Sequence, residues 1–425
     1  MVHDVTFSVI TPHYRGTNPY IAEAYASLAA QTYGDWEWIV VLNNGGELPT
    51  DMRADDRVRP VMVGGGTHAI GWLKWYGAQQ AQGDILVELD ADDMLTPDAL
   101  EELAVAFRDE QVQFAYSNFA EFEHATWKPF SYSADYGWRS RPFTYQGHEL
   151  TEMIAFPPTP HALRYVYWAP NHVRAWRRTA YEDLGGHNGH RAVGDDHDLV
   201  CRTYLAYGAA GMRHVDKCLY LYRRHGDNTS VARNADVQAA TQTVYRERVR
   251  AMVERWCADN DLAMLNIGAG EERLDGYTTL DKRPPADILW DLEDGIPIES
   301  DSVGLVRAYD VLEHLSSPVR IMNEIYRVLA PGGWLFLRVP STDGRGAFQD
   351  PSHKSFWNEN SLWYYTEPAF AKYVPECYAR FQLARAVTWY PTAWHEQYRI
   401  CYLDAQLIAV KPGYEPIGEC LWLAR

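Results

Sequence analysis

Three stretches of the sequence gather side chains that could do chemistry. In Leu89-Asp90-Ala91-Asp92-Asp93, two carboxylates fall in a D-x-D spacing after an apolar run. Hard carboxylate oxygens suit Mg2+ or Mn2+, and such a cation neutralises a departing diphosphate. Acidic turns that merely precede a helix have the same spacing. Asp195, Asp196 and Asp198 crowd a second stretch. Their mutual repulsion is expected to raise at least one pKa, although a solvated helix start favoured by the helix dipole would look the same. The third stretch is Asn266-Ile-Gly-Ala-Gly270, followed by Leu280-Asp281. A glycine turn lets the backbone approach a cofactor, and an acid at the end of the next strand can grip ribose hydroxyls. Tight turns explain most G-x-G pairs. The third glycine of a dinucleotide fingerprint is missing, and Glu271 and Glu272 stand there instead. Two acids repel a pyrophosphate, which argues against NAD and favours a zwitterionic amino-acid tail.

These residues need sheets to position them. Val5–Ile10, Trp36–Leu42 and Asp84–Leu89 read as buried strands, and Tyr20–Gln31 and Pro97–Arg108 as helices. Thr96 is the expected N-cap, with Pro97 at the first helical position. This βαβ rhythm predicts a mostly parallel sheet with ligands at the strand C-terminal ends. Residues 111–225 are less regular and rich in Trp, Tyr, Pro and His. Ala235–Trp256 carries Val237, Val244, Val249, Val253 and Trp256 at near-helical spacing, with the charges of 246–250 expected on the opposite side. A second series follows, with strands at Met264–Ile267, Tyr277–Leu280, Gly304–Ala308, Trp334–Val339, Phe381–Trp389 and Ile400–Val410. Pro331-Gly332-Gly333 reads as a turn before the fourth of these. The expected organisation is an α/β protein of two domains, 1–230 and 261–425, joined by a connecting helix over 231–260.

A chain of 425 residues suits two or three domains. Its 47% hydrophobic and 23% charged residues are those of a globular protein. The net charge of −18 repels a phosphate backbone and argues against broad nucleic-acid binding. No apolar run approaches the roughly 18 residues of a membrane span, and the first residues do not read as a signal peptide. Six scattered cysteines without a C-x-x-C pair read as reduced thiols, so a cytoplasmic location is expected.

The ordered series Phe7-Ser-Val-Ile-Thr-Pro-His-Tyr14, Trp38-Ile-Val-Val-Leu-Asn43, Gly83 through Asp93, Leu184-Gly-Gly186, Asp195 through Arg202, and Tyr222-Arg-Arg-His225 resembles family 2 glycosyltransferases of the GT-A fold. The resemblance spans about residues 5–230. It implies that Thr11, Pro12 and Tyr14 line a nucleotide base pocket. Asn43 stands where the family usually has an Asp that holds the base. Lys74 stands where an Arg is usual, and Trp75 replaces an Asn. By the same resemblance Asp90 faces the ribose, Asp92 holds the divalent metal, and His225 completes the metal site. Asp196 matches the family's general base. A sugar hydroxyl is a poor nucleophile, so a carboxylate must take its proton as it attacks the anomeric carbon. Attack opposite the diphosphate inverts the configuration. A UDP-sugar donor follows from the resemblance alone.

From Asn266-Ile-Gly-Ala-Gly270 onward, Asp281, Asp291-Leu292, Ala308-Tyr-Asp-Val-Leu-Glu-His-Leu315, Glu324 through Gly333 and Trp334 through Pro340 look like a class I S-adenosylmethionine-dependent methyltransferase, over about 262–412. The resemblance implies that Gly268 and Gly270 approach the methionine end of the cofactor. Asp281 binds the ribose, Asp291 and Leu292 border the adenine, and Asp310 lies near the reacting methyl. Methyl transfer needs alignment more than a strong catalyst, but an oxygen nucleophile is helped by a base. Glu313, His314, Asp350 and His353 are the candidates, with His314 and His353 foremost. Helix packing and loop stabilisation are the ordinary roles of such histidines. Trp357, Trp363, Tyr364 and Tyr365 either stack on a substrate or serve a core or lid.

The combined expectation is a bifunctional enzyme acting on a glycan or glycoconjugate. One domain adds a sugar and the other methylates, in the first instance at oxygen and on the same glycan. Two alternatives stay open: a glycosyltransferase with a degenerate methyltransferase-like binding module, and a non-catalytic glycan-binding or assembly protein.

Overall fold

The computed structural model describes residues 5–64, 68–226, 228 and 232–422. Contacts divide the chain into two units, Met1–Met252 and Val253–Arg425. The division falls inside the helix Asn234–Asp259.

In the first unit, β1 (Phe7–His13), β2 (Trp36–Leu42), β3 (Val58–Met62) and β4 (Ile85–Glu88) form a parallel set in the order β3-β2-β1-β4. The apolar runs of β1, β2 and β4 are buried on both faces, as a sheet covered by helices on both sides requires, whereas the edge strand β3 is partly exposed. Helices Ile21–Ala29 and Ile70–Ala78 follow β1 and β3. A short β5 (Met94–Leu95) precedes the helix Ala99–Ala106. The region that reads as irregular contains β6 (Phe114–Glu123), β7 (Pro129–Phe130), the hairpin β8 (Arg139–Tyr145) and β9 (His148–Ile154), β10 (Ala175–Arg177) and β11 (Met212–Arg224). The sheet continues from β4 through antiparallel β10 and β6 to β11, which is parallel to β6, and ends on β5. Histidines and tyrosines sit inside these strands and hide their alternation.

Two sequence expectations need correction here, and one strand was not foreseen. The residue flanking the Ala99–Ala106 helix is Asp98, not Thr96. Thr96 is held by the sheet: its N–H donates to Leu219 O (3.1 Å) and its carbonyl accepts from Gln31 Nε2 (2.7 Å). In the long helix, Arg248 does not stay on the outer face. It reaches the buried Asp198 at 2.8 Å, and Val244 and Val249 are buried beside it in sequence. Strand β3 carries Arg59 and Pro60 and gives little apolar signal.

The second unit has one seven-stranded sheet: β12 (Ala263–Ile267), β13 (Tyr277–Asp281), β14 (Ile288–Leu289), β15 (Val303–Tyr309), β16 (Leu329–Pro340), β17 (Phe381–Trp389) and β18 (Tyr402–Ala409). The order is β14-β13-β12-β15-β16-β18-β17, and only β18 runs antiparallel. This is a Rossmann-like core with an antiparallel strand inserted before the last. The helix Pro318–Val328 starts at Ser317, whose side chain accepts from Arg320 N–H, with Pro318 at its first position. Pro331-Gly332-Gly333 is not a turn ahead of a strand. It lies within β16, where pairing with β15 jumps from Val303–Leu329 to Leu305–Trp334, and Gly332 takes φ +76° to absorb the extra residues.

Candidate functional site

In the first unit the acids end β4 and meet β11. Asp93 is buried and accepts from Arg223 N–H (2.7 Å) and Tyr220 O–H (2.8 Å). Burial, then the charges of Asp92 and Asp90, push its carboxyl well up. Those bonds fix the turn that presents Asp92. The Asp92 carboxylate lies 2.8 Å from His225 Nε2, just beyond β11, and 3.5 Å from Asn228 Nδ2. His225 stacks on Tyr20 with ring centroids 4.8 Å apart. Two residues 133 apart in sequence thus place a carboxylate oxygen and an imidazole nitrogen together. That donor pair suits a divalent cation.

Behind it lies a charge cluster that sequence reasoning missed. Glu88, the last residue of β4, is buried and within 3.0 Å of three groups: Lys74 Nζ (2.7 Å), His187 Nε2 (2.8 Å) and Arg174 Nη2 (2.9 Å). Burial works against its charge, but Arg174, Lys74 and His187 hold it well below the usual carboxylate range. Arg174 also reaches Asp196 at 3.0 Å. Burial would raise the Asp196 carboxyl, yet the Arg174 guanidinium, aided by Lys74, brings it below its ordinary value. Its neighbour Asp195 goes the other way, raised by burial and by Asp196. The expected repulsion within the acidic segment therefore falls on Asp195 and leaves Asp196 ionised. Asp90 is raised by burial, opposed by Lys74 and Arg174, so it belongs to the same electrostatic cluster. A glutamate in the run Ile-Leu-Val-Glu-Leu was the available signal for Glu88. Arg174 and His187 had none.

The expected base-pocket residues stand at the C-terminal ends of β1 and β2. Thr11 Oγ1 donates to Leu89 O (2.7 Å) and accepts from Trp38 Nε1 (2.8 Å), so its hydroxyl is occupied within the sheet. Pro12 is buried and Tyr14 is exposed. Asn43 is buried and its Oδ1 has no hydrogen-bond partner among the described residues. A buried acceptor left in this state suits a ligand's N–H. Lys74, in the helix Ile70–Ala78, commits its ammonium to Glu88.

In the second unit, Gly268 and Gly270 both take positive φ, +64° and +54°. A Cβ at Gly268 would lie 2.2 Å from Val311 Cγ2, so the turn needs glycine there. Asp281, at the end of β13, accepts from Gly270 N–H (2.9 Å) and Arg283 N–H (2.9 Å). The glycine turn and the acid are thereby one assembly. Glu272 pairs with Arg307, so one of the two acids after the turn is neutralised. Asp291 accepts from Glu293 N–H (3.0 Å), and the adjacent Leu292 is buried. Asp310 follows β15 with φ +52°, a conformation uncommon outside glycine, and burial raises its carboxyl. His314 and His353 come together, with ring centroids 5.0 Å apart. Glu313, between Asp310 and these rings in sequence, is buried, and burial pushes its carboxyl up to about 8. Trp357 and Tyr365 are core residues, whereas Trp363 and Tyr364 are exposed.

All six cysteines are buried. No helix among the described residues is long and apolar enough to cross a membrane.

Comparison with known proteins follows the two units. The profile of glycosyl transferase family 2 matches residues 8–168, and the profile of a methyltransferase domain matches residues 259–337. The O-antigen biosynthesis protein RfbC of Myxococcus xanthus is 27% identical over 262 residues, covering 60% of this chain. The chain spans only 18% of that relative's length. Among solved structures, S. aureus TarS 1–349 is similar at 17% identity with a TM-score of 0.40, over 60% of this chain and 72% of that chain. The same TarS 1–349 in complex with UDP-GlcNAc gives 15% identity and a TM-score of 0.41, over 60% and 73%. The chain thus carries a family 2 glycosyltransferase domain followed by a methyltransferase domain.

Proposed function

We propose that the first unit transfers a sugar from a nucleotide-diphosphate donor to a glycan or glycoconjugate, with inversion. The observation that carries this is the meeting of Asp92 and His225 at 2.8 Å, with Asp90 sharing its electrostatic surroundings both with Asp92 and with the Lys74 and Arg174 that act on Asp196. Asp92 and His225 would hold Mn2+ or Mg2+, which supplies charge neutralisation for the leaving diphosphate. Asp90 receives the donor ribose, and Asn43, with Thr11, Pro12 and Tyr14 around it, receives the base. Lys74 acts from beneath, by holding Glu88. Asp196 takes the proton of the acceptor hydroxyl as its oxygen attacks the anomeric carbon. Because Arg174 keeps Asp196 ionised, it is ready to accept at neutral pH.

The second unit, in this reading, methylates an oxygen of the same glycan. S-adenosylmethionine supplies the electrophilic methyl. Gly268, Gly270 and Asp281 fit it, because a positive-φ turn bonded to a ribose-gripping acid is the cradle it needs. Asp291 and Leu292 border the adenine, and Asp310 closes on the reacting end. His314 and His353, whose ring centroids are 5.0 Å apart, are the residues assigned to help the acceptor hydroxyl give up its proton. The name of the RfbC relative, an O-antigen biosynthesis protein, supports a glycan acceptor. UDP is the default donor nucleotide.

A thermal-shift screen of nucleoside diphosphates and S-adenosylmethionine, with and without Mn2+, tests both halves. Ligands of the folded state raise the midpoint by mass action. A Mn2+-dependent nucleotide shift and an independent S-adenosylmethionine shift are expected. Silence from every nucleotide refutes the first half, and silence from S-adenosylmethionine refutes the second. Labelled S-adenosylmethionine given with glycosylated product then tests the shared substrate; label found only away from the sugar refutes it.

A further inference from the structure

One ligand atom from each of Glu313, His314 and His353 lies within 4.8 Å of the other two. Glu313 and His314 belong to the short turn Leu312–His314 after β15. His353 is brought over by the loop that follows β16. Lys354 N–H and Ser355 N–H both donate to Glu313 O, at 2.7 and 3.0 Å, and Ser355 Oγ donates to Leu312 O (2.9 Å). The loop is pinned to the turn, so the three side chains meet by construction.

Hydrogen bonding decides which ring nitrogens are available. His353 Nδ1 lies 2.8 Å from Ala347 O. A carbonyl only accepts, so Nδ1 carries the proton and Nε2 keeps a lone pair. Asp350 Oδ2 is 3.9 Å from that Nε2, beyond hydrogen-bond reach. His314 Nδ1 faces Ser352 Oγ at 3.1 Å and Ser352 O at 3.4 Å. The Ser352 hydroxyl already donates to Asp350 Oδ1 (2.6 Å), so towards His314 it accepts. His314 therefore also carries its proton on Nδ1 and leaves Nε2 free. Metal-binding histidines are set in this way, with the far nitrogen tied to a carbonyl or a polar side chain. The third member supplies the independent sign. Glu313 is 2% exposed and its Oε2 has no hydrogen-bond partner among the described residues, while Asp310 and Asp350 add like charge nearby. A buried carboxylate oxygen with nothing to bind is costly unless a partner arrives.

We propose that Glu313, His314 and His353 form a second metal site, for a divalent transition-metal cation, separate from Asp92 and His225. Two imidazole nitrogens and one carboxylate oxygen suit Zn2+, Co2+, Fe2+ or Mn2+ better than Mg2+, and three protein ligands leave positions open. An acceptor hydroxyl bound at an open position loses its proton to solvent more readily. Its oxygen then forms the new bond to the methyl carbon as the carbon–sulfur bond breaks, and the sulfonium becomes a neutral thioether. This role rests on the methyl-transfer reading; the binding of the cation does not.

The test uses the full chain, stripped with chelator and titrated with Co2+ under visible absorption, with Zn2+ as competitor. In Asp92→Asn, one equivalent with histidine-type bands is expected, displaced by Zn2+, and the same bands are expected in the wild type. Glu313→Gln and His353→Ala should each weaken binding by more than the about 10–100-fold typical of an outer-shell partner, and Ser352→Ala by about that amount. Circular dichroism and calorimetric binding of S-adenosylmethionine report whether each variant is folded. Absence of the bands in the wild type, or bands unchanged in folded His353→Ala, overturns the site. If the bands appear as expected but S-adenosylmethionine does not bind the wild type, the cation site stands and the methyl-transfer reading falls.

Discussion

Arg174 is the residue through which the first unit's chemistry can be tested most sharply. Its guanidinium is 6% exposed and touches Glu88 at 2.9 Å and Asp196 at 3.0 Å. Arg174→Met keeps a long unbranched side chain and removes the charge. Glu88 retains Lys74 and His187, but Asp196 loses the cation that most strongly lowers its carboxyl. The guanidinium beside Asp196 is the cation that holds its carboxyl down, so in the variant that carboxyl should titrate at higher pH. The acid limb of the sugar-transfer rate then moves to higher pH. Breaking a buried pair also costs about 3–5 kcal/mol of stability. For a unit of this size, at about 2–4 °C per kcal/mol, the midpoint should fall by ~6–20 °C. The assay is the pH profile of transfer or donor hydrolysis at saturating nucleotide sugar, read below the variant's melting range. A folded variant whose acid limb overlies the wild type refutes the reasoning. Asp196 would then not be the group that titrates, or Arg174 would not govern it.

Three further outcomes follow from the same geometry. Gly268→Ala should destabilise the second unit by about 2–5 kcal/mol, through positive φ and the 2.2 Å approach to Val311, and should weaken S-adenosylmethionine binding in calorimetry. Gly270→Ala, with nothing near its Cβ, should cost only about 1–2 kcal/mol. His172 is buried against Tyr220, and burial brings its imidazole down to about 3. The unfolded chain therefore binds a proton below about pH 6.5 that the folded chain refuses, and stability falls as pH drops from there towards the folded value. His172→Phe should remove up to ~1.4 kcal/mol per pH unit from that slope, read from urea midpoints. Finally, Asp198 is 2% exposed at its side chain and is held by Arg248 (2.8 Å), Arg202 (2.9 Å) and Arg191 (3.5 Å). Arg248→Met should lower the urea-derived stability by about 1.5–3 kcal/mol. No change would show that the other two arginines suffice.

The parts of the molecule that repeat a local rule were legible in the sequence. Trp36–Leu42 reads as a strand because aromatic and β-branched residues dominate it, and Phe381–Trp389 because it begins on an aromatic and ends on Val-Thr-Trp, and both have those bounds in the structure. The turn at Gly268 and Gly270 and the acid Asp281 were legible because a turn followed by a strand-end acid is a short-range pattern, and the hydrogen bond from Gly270 N–H to Asp281 is its outcome. What stayed hidden depends on partners far apart in sequence. Arg174 lies 86 residues from Glu88, and nothing in its surroundings marks it as a buried cation. Thr96 satisfies every local preference of an N-cap, but pairing of Leu95 with Tyr220 takes its backbone for the sheet. Pro331-Gly332-Gly333 has the composition of a turn, and only the register against β15 shows that it is absorbed within a strand.

The place of β18 has a consequence for how the second unit is completed during synthesis. β17 pairs with β18 alone, and β18 also covers the far side of β16. A ribosome that has released residues up to about 400 has thus made β17 without giving it a neighbour, and the β16 flank is still bare. Two open, apolar strand flanks then coexist on one nascent chain, which is the circumstance that invites pairing with another copy. Tyr402–Ala409 closes both at once, so a stall or nick just ahead of it should leave a product that aggregates rather than a slightly shortened domain.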